Sequence, residues 1–480
     1  MTAPVDAIGS PHRWCVIGAG PSGLTALKSL RELGIPAECL EREAELGGNW
    51  VFGSPASRIF ASTRLISSRP LTEFVDFPMS RRLPWHPSHT ACLDYLRSYA
   101  EHFGLRPFIR SHCDVEQVEP LAGTADGAAA GWRVHLRGQA PRVYEGVVIA
   151  NGHNHAPRMP TIPGTFAGTM LHAADYTSPE SPVSVDGLRV LVIGGGNSGC
   201  DIAVDVCREA RATFHATRRT YHVVPRTILG RPADLRSERL LSMRVPIWLR
   251  RLISLRLIDR SIGLPERHGL PAPDHRLWET HPVINEKIYG CIDAGQIVPV
   301  RDVQRFDGRE VVFADGRRET IDLVIAATGY RIEMPFIEPA ALDGRPAAAT
   351  PEDHDAQPPD LFLHMLPRHR QDLACVGLIQ PDSGQWGLTD LQGRVVARMA
   401  FARRHAPRTA AWLRRVSQQS PPLTPIRYVD SPRHRLEVEH HSYRLRLERL
   451  IRGLDRRLRR ELTAAVQPAA GCRRSPRARG

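Results

Sequence analysis

Trp14-Cys15-Val16-Ile17-Gly18-Ala19-Gly20-Pro21-Ser22-Gly23 is the stretch that decides the fold. An unbroken apolar run leads into three glycines spaced Gly-x-Gly-x-x-Gly, and an apolar-periodic segment follows through Leu33, where Gly34 stops it. This reads as buried strand, tight turn and helix. Ile35 to Leu40 reads as a second strand ending at Glu41, which completes the strand, turn, helix, strand and terminal acid of a nucleotide-binding unit. A helix N-terminus offers free N–H groups and the positive end of its dipole to a pyrophosphate, and glycines let the backbone approach it. Gly18 allows the turn, Gly20 the approach and Gly23 close helix packing, while Glu41 can accept hydrogen bonds from ribose hydroxyls. Ser22 lies inside the same turn and joins these four as a candidate cofactor contact.

The same order returns downstream. Leu188 to Ile193 reads as a strand, Gly194-Gly195-Gly196-Asn197-Ser198-Gly199 as the turn, Cys200 to Ala210 as a helix and Ala212 to Ala216 as the next strand. Two units imply two dinucleotide sites, the second contacted through Gly194, Gly196, Asn197, Ser198 and Gly199. No acid follows the returning strand; the chain reads Thr217-Arg218-Arg219, so positive charge meets the 2′ position and NADPH is expected over NADH. Between the units, Trp132 to Leu136 and Val143 to Ala150 read as strands, and the Pro-rich Ala156 to Gly164 as a domain crossing. Ile321 to Ala327 is an apolar strand ending in Thr328-Gly329-Tyr330. Ala122 to Gly131 is low in complexity and reads as surface.

At 480 residues the chain exceeds the size of one hydrophobic core, and 42% apolar with 24% charged residues is ordinary globular composition. The net charge of +13 does not point to nucleic acid: Lys28 and Lys287 are the only lysines, an arginine bias that a GC-rich coding sequence produces. The stretch from His441 to Gly480 carries twelve Arg against Glu448, Asp455 and Glu461, and reads as a solvated tail. The nine cysteines show no CxxC and no metal-ligand spacing, so no metal is expected. With no signal-peptide pattern and no long apolar run, the expected location is cytoplasmic and membrane contact is not expected. From Arg236 to Arg260, the residues Leu240, Leu241, Val245, Trp248, Leu249, Leu252, Ile253 and Leu257 share helical spacing, which reads as a lid over a substrate pocket.

Several further motifs carry a family likeness. Phe166-Ala167-Gly168-Thr169-Met170-Leu171-His172-Ala173-Ala174-Asp175-Tyr176 fits the pattern FxGxxxHxxxY and stands directly before the second glycine-rich unit. Glu41-Arg42, Leu46-Gly47-Gly48-Asn49-Trp50, Asp76-Phe77-Pro78, Ala327-Thr328-Gly329-Tyr330, Gly377-Leu378-Ile379-Gln380-Pro381 and Leu391-Gln392 add to it. In these motifs, roughly from residue 13 to 445, the chain resembles the class B flavin-dependent monooxygenases of the flavin-containing monooxygenase branch, related to the Baeyer-Villiger enzymes. The resemblance implies an α/β fold of two Rossmann-like domains, with an NADPH domain (165–325) inserted into an FAD domain (13–164 and 326–445). A leader (1–12) and an Arg-rich tail (446–480) flank them. It implies FAD at the first turn, with Arg42, Gly48, Trp50, Thr328, Gly329 and Gln380 among the cofactor contacts, and NADPH at the second.

The activity implied is oxygenation of a nucleophilic nitrogen or sulfur of a small molecule by O2, through a C4a-hydroperoxide of the flavin. Tyr176, where the Baeyer-Villiger enzymes carry Trp, leans toward this branch; ketone oxidation is the alternative, and an NADPH oxidase or a flavoprotein without oxygenation is a third. His172 and Tyr176 are the candidates for catalysis within the motif. One departure matters: the active-site asparagine of the family falls at Ile66, which cannot donate a hydrogen bond, so Ser67 beside it is the expected substitute.

Overall fold

Two five-stranded parallel sheets carry the chain in the computed structural model, which describes residues 12–121, 131–345, 358–431 and 434–466. Nearly all of the leader and of the Ala122 to Gly131 stretch, and the Arg-rich end beyond 466, lie outside the described residues. The first sheet contains β1 (Trp14–Ile17), β2 (Ala37–Leu40), β3 (Ile109–Arg110), β4 (Gly146–Ile149) and β10 (Leu373–Cys375), in the order β10-β4-β1-β2-β3. The second contains β5 (Thr169–His172), β6 (Arg189–Ile193), β7 (Ala212–Ala216), β8 (Ile297–Val300) and β9 (Leu323–Ala326), in the order β8-β7-β6-β9-β5. Every pairing within both sheets is parallel.

The two sheets are built alike. Counted from the glycine-rich strand, each runs third, second, first, fourth, the arrangement of nucleotide-binding halves. Each also inserts a three-stranded antiparallel meander before its fourth strand, Val115–Pro120 to Gln139–Tyr144 in one and Val303–Asp307 to Arg318–Thr320 in the other. They differ in the fifth strand, which comes last in the chain in the first sheet (β10) and first in the second (β5). All of β5 to β9 thus lies between β4 and β10. The chain leaves the first sheet through Ala156–Pro157 and returns through Tyr330–Arg331, and these two segments pair antiparallel.

Helix α1 (Pro21–Glu32) connects β1 to β2, and α2 (Asn197–Val206) connects β6 to β7. Helix α2 starts three residues before the expected Cys200, because Gly196 is its N-cap and Asn197 and Ser198 already belong to the first turn. The expected lid between 236 and 260 is not one helix. It is α3 (Ala233–Ser242) and α4 (Ile247–Ile262), separated where Pro246 takes the N-cap position and Arg244 adopts a positive φ of 55°. The break splits the stripe: Leu255, Leu257 and Ile262 pack on the buried Ile228, Ile258 and Leu277, whereas Trp248 is 65% exposed and Leu252 40%.

The C-terminal helices complete the first core. Helix α1 packs on α5 (Trp386–His405), which is followed by α6 (Pro407–Ser417) and α7 (His440–Val466). The expected start of the tail at residue 446 falls inside α7, whose Tyr443, Leu447 and Leu454 are fully buried. Where α1 crosses α5, a Cβ on Gly393 would lie 2.8 Å from the carbonyl oxygen of Thr25, a backbone atom that cannot turn aside.

Gly393→Ala should therefore lower the stability of the folded protein by about 1–3 kcal/mol, the usual cost of overpacking. Gly290→Ala, in a short helix where nothing lies within 4 Å of the new Cβ, should leave it unchanged or raise it slightly. Urea denaturation of the two variants beside the parent checks the contrast.

Candidate dinucleotide sites

Each glycine turn holds its helix start against the end of the preceding strand, and the two turns match atom for atom. Gly18 N–H donates to Leu40 O at 2.8 Å and Gly194 N–H to Ala216 O at 2.9 Å. Both residues have positive φ, 97° and 125°. A Cβ on Gly23 would sit 1.7 Å from Gly18 O, and one on Gly199 would sit 1.9 Å from Gly194 O, so only glycine lets the helices come this near. Gly20 and Gly196 are the N-caps and provide no side-chain cap, which leaves the first N–H groups of α1 and α2 turned toward the space beyond the strand ends.

The first site is enclosed by three further pieces. The loop Gly47-Gly48-Asn49-Trp50 closes over the turn, with Gly47 N–H donating to Ala19 O at 3.0 Å; a Cβ on Gly48 would lie 3.0 Å from Gly20 Cα. Glu41, buried at the end of β2, accepts from the N–H groups of Ala19 (2.6 Å) and Glu43 (3.0 Å). Burial raises its pKa, with the two backbone bonds opposing the shift. Gly377 forms the third piece, its Cα set against the Ser22 hydroxyl. Gln392 accepts from Gly377 N–H at 2.8 Å, and the Gln385 amide donates to the carbonyls of Gly377 (3.1 Å) and Ile379 (2.8 Å). An uncapped helix start, a side-chain-free cradle and a buried carboxylate fit a dinucleotide. Unpartnered buried atoms nearby, Ser54 Oγ, Arg58 Nε and His155 Nδ1, mark a polar lining beside the crossing segments.

Other expected contacts lie at varied distances from this cradle. Trp50 stands edge-on to Trp386 with ring centroids 5.3 Å apart, and Arg42 faces Glu43. Gln380 pairs through its backbone with Glu437, and Thr328 donates to Arg158 O at the crossing. In the second site, Asn197 is committed to the neighbouring backbone: its carbonyl accepts from Ile284 N–H at 2.7 Å and its amide donates to Pro282 O. Ser198 and Arg218 are exposed, while Arg219 approaches Asp274 at 3.7 Å.

The three candidate catalytic residues are all bonded inward. His172 Nδ1 accepts from Ala174 N–H at 3.0 Å, so its proton is on Nε2, which donates to Gly329 O at 3.1 Å. Tyr176 is buried and donates to Asp205 at 2.8 Å. Thr72 gives its hydroxyl proton to Ser68 O, so in the 2.8 Å pair of hydroxyls it is Ser67 that donates to Thr72. The Ser67 hydroxyl is thus engaged within its own loop. Ser68 N–H is taken by Asp234 of α3 at 2.6 Å, a contact with no local sequence signal. Arg58, Gln385 and Asp234 all come from a distance along the chain; of the supporting residues, Gly377 and Gln392 lie in recognisable motifs.

The family model for flavin-binding monooxygenase-like proteins matches residues 11–452. Flavin-containing monooxygenase 5 of Mus musculus is 31% identical over 451 residues, covering 89% of this chain and 80% of that protein. Among solved structures, S-allyl-L-cysteine S-oxygenase from Allium sativum superposes with a TM-score of 0.61 at 20% identity, covering 94% of this chain and 93% of that one. Closed cyclohexanone monooxygenase gives a TM-score of 0.63 at 18% identity, covering 93% and 99%.

Histidines held neutral by the fold bear on its stability toward acid. Burial pushes His153 and His364 down to about 4 and holds His155, His172 and His215 below the ordinary imidazole value of 6.5. Below that value the unfolded chain binds protons that the folded one refuses, so stability is complete above it and is lost as pH falls. Asp201 and Asp382, raised by burial to about 6, act in the opposite sense between their ordinary value of 3.8 and 6, but are fewer. The urea midpoint should thus fall steadily from about pH 6.5 to pH 5, before ordinary carboxylates titrate. A midpoint that is flat over this range would contradict neutral buried imidazoles.

Proposed function

The chain belongs to the flavin-binding monooxygenase-like family, and from that premise we propose that it holds FAD at the Gly18 turn and NADPH at the Gly194 turn, and oxygenates a nucleophilic nitrogen or sulfur of a small molecule. It is a flavin-dependent monooxygenase, an oxidoreductase whose cofactors are FAD and NADPH. The observation that supports this reading best is the pairing of two matched, uncapped glycine turns on two sheets, one inserted in the other. On this reading the first sheet with its C-terminal helices is the FAD domain and β5 to β9 form the inserted NADPH domain.

Bound FAD, reduced by NADPH, supplies the activation of O2. The chain's own groups bind and orient. Glu41 would hold ribose hydroxyls and the start of α1 the pyrophosphate, while Gln385 and Gln392 keep the Gly377 turn against Ser22. Arg218 and Arg219 would meet a 2′-phosphate. His172 and Tyr176 are positioning residues: the first ties the Gly329 turn to β5, the second ties the segment after β5 to α2.

The choice of acceptor follows from donors. Addition to a ketone develops an oxyanion and calls for a hydrogen-bond donor aimed at it, whereas an amine or sulfide brings its own lone pair. The Ile66 side chain has no donor and the Ser67 hydroxyl is engaged with Thr72, which supports the amine or sulfide. Cyclohexanone monooxygenase shares the fold, and ketone oxidation is the second reading.

Incubation with NADPH and labelled O2 should place one labelled atom in a sulfoxide or N-oxide, with lactone or ester products absent from ketone incubations. Hydrogen peroxide as the sole product from every acceptor would sink the monooxygenase reading. Ile66→Asn should raise the yield of oxygenated product per NADPH consumed several-fold, at the expense of peroxide; an unchanged ratio would mean that this position does not face the reacting groups.

A further inference from the structure

An open groove between α6 and α7 has a volume of about 500 Å³ and is lined by six arginines: Arg446, Arg449, Arg452, Arg456, Arg457 and Arg460. That volume is in the range of small-molecule sites. The rest of the lining is largely apolar, with Phe362, Val416, Leu450 and the Trp412 indole. Arg446, Arg449, Gly453, Arg456 and Arg460 recur at alternating spacings of three and four, one face of the helix, over about 21 Å at 1.5 Å per residue. At the centre of this row the side chain is missing. A Cβ on Gly453 would come within 3.2 Å of the Trp412 ring, so glycine admits the indole, and the Arg457 guanidinium lies 4.3 Å from the ring centroid.

The carboxylates of α7 are engaged away from the row. Glu448 pairs with Arg444 at 3.2 Å and Arg452 at 3.7 Å, and Asp455 holds Arg398 at 2.6 Å. Glu461 accepts from the first N–H groups of α6, Arg408 at 2.9 Å and Thr409 at 2.8 Å. Among the described residues, no carboxylate is within ion-pair distance of Arg446, Arg449, Arg456, Arg457 or Arg460. Burial, and then the charge of Arg449, hold Arg446 below the ordinary guanidinium value. Arg446 is half-buried and Arg449, Arg456, Arg457 and Arg460 are exposed; cations gathered along one open groove repel one another unless an anion offsets them. One phosphate would engage one or two of these forks, whereas a chain of phosphates can run along the row. The indole and the apolar lining ask for a ring or hydrocarbon part on the same ligand.

We propose that the groove between α6 and α7 binds a nucleoside polyphosphate at a site separate from both glycine turns, with the phosphates along Arg446, Arg449 and Arg456 and the base against Trp412. The test uses the FAD-loaded enzyme saturated with NADP+, so that both glycine turns are filled. Equilibrium dialysis with ATP should then find one molecule per chain. The double variant R449Q/R456Q should weaken ATP binding at least tenfold, and R449K/R456K, which keeps charge but not the guanidinium fork, should weaken it less. Unchanged flavin absorbance and melting temperature in both variants report that the fold is intact.

ATP that fails to bind under NADP+ saturation, or that binds R449Q/R456Q as well as the parent, overturns the proposal. Tripolyphosphate binding as tightly as ATP overturns it too, because the ring would then contribute nothing. Retention on phosphatidic acid vesicles or on a single-stranded oligonucleotide, without binding of ATP, overturns it in favour of a lipid or nucleic-acid surface.

Discussion

Two backbone contacts that tolerate no side chain organise the molecule: Gly23 against the carbonyl of Gly18, and Gly199 against the carbonyl of Gly194. At 1.7 and 1.9 Å from those oxygens a Cβ has no place, so any other residue would push the helix away from the strand that precedes it. The uncapped N–H groups would then leave the space beyond the strand ends. Around the first contact the remaining pieces are arranged in order of distance along the chain: Glu41 at the end of the next strand, Gly48 over Gly20, and Gly377 against Ser22 from the far end of the insertion. The C-terminal helices serve this geometry as well, since Gln385 and Gln392 on α5 hold Gly377 by its carbonyl and its N–H, and Tyr443 on α7 accepts from Gln392 at 2.7 Å.

The link between the two sheets follows from where the crossings begin. Ala156–Pro157 leaves from the carboxyl end of β4 and Tyr330–Arg331 from the carboxyl end of β9, the same edges at which the two glycine turns lie. Ligands of open parallel sheets bind outside the carboxyl ends of the strands. Both crossings thus leave from the strand ends that carry the glycine turns. Gly329 is the knot of this link: its carbonyl accepts from both Arg158 N–H at 3.0 Å and His172 Nε2, so one acceptor uses both lone pairs to join an outgoing segment, a returning segment and β5.

Legibility in the sequence tracks locality. The limits of β1 and β7, Trp14–Ile17 and Ala212–Ala216, coincide with the runs read from the sequence, because apolar run, glycine turn and helix are contiguous signals. Strands β3, β5 and β10 have two, four and three residues and exist by virtue of the neighbour each pairs with, information that no local window holds. The glycines and Glu41 were legible for the same contiguous reason. Arg58, Gln385 and Asp234 were not, since each reaches the site from a segment distant in sequence. His172 and Tyr176 stood out as a motif, but a motif does not say whether a polar atom points at a ligand or at the backbone; here both point at the protein.

The loop from Ile66 to Thr72 shows how far an inventory of protons carries. Ile66, 36% exposed, brings none. Ser67 gives its proton to Thr72, Thr72 gives its own to Ser68 O, and Ser68 N–H goes to Asp234. Asp234 also accepts from Leu235 N–H at 2.7 Å, so the loop is tied to the inserted segment through its backbone, while the buried Ser68 hydroxyl has no partner among the described residues.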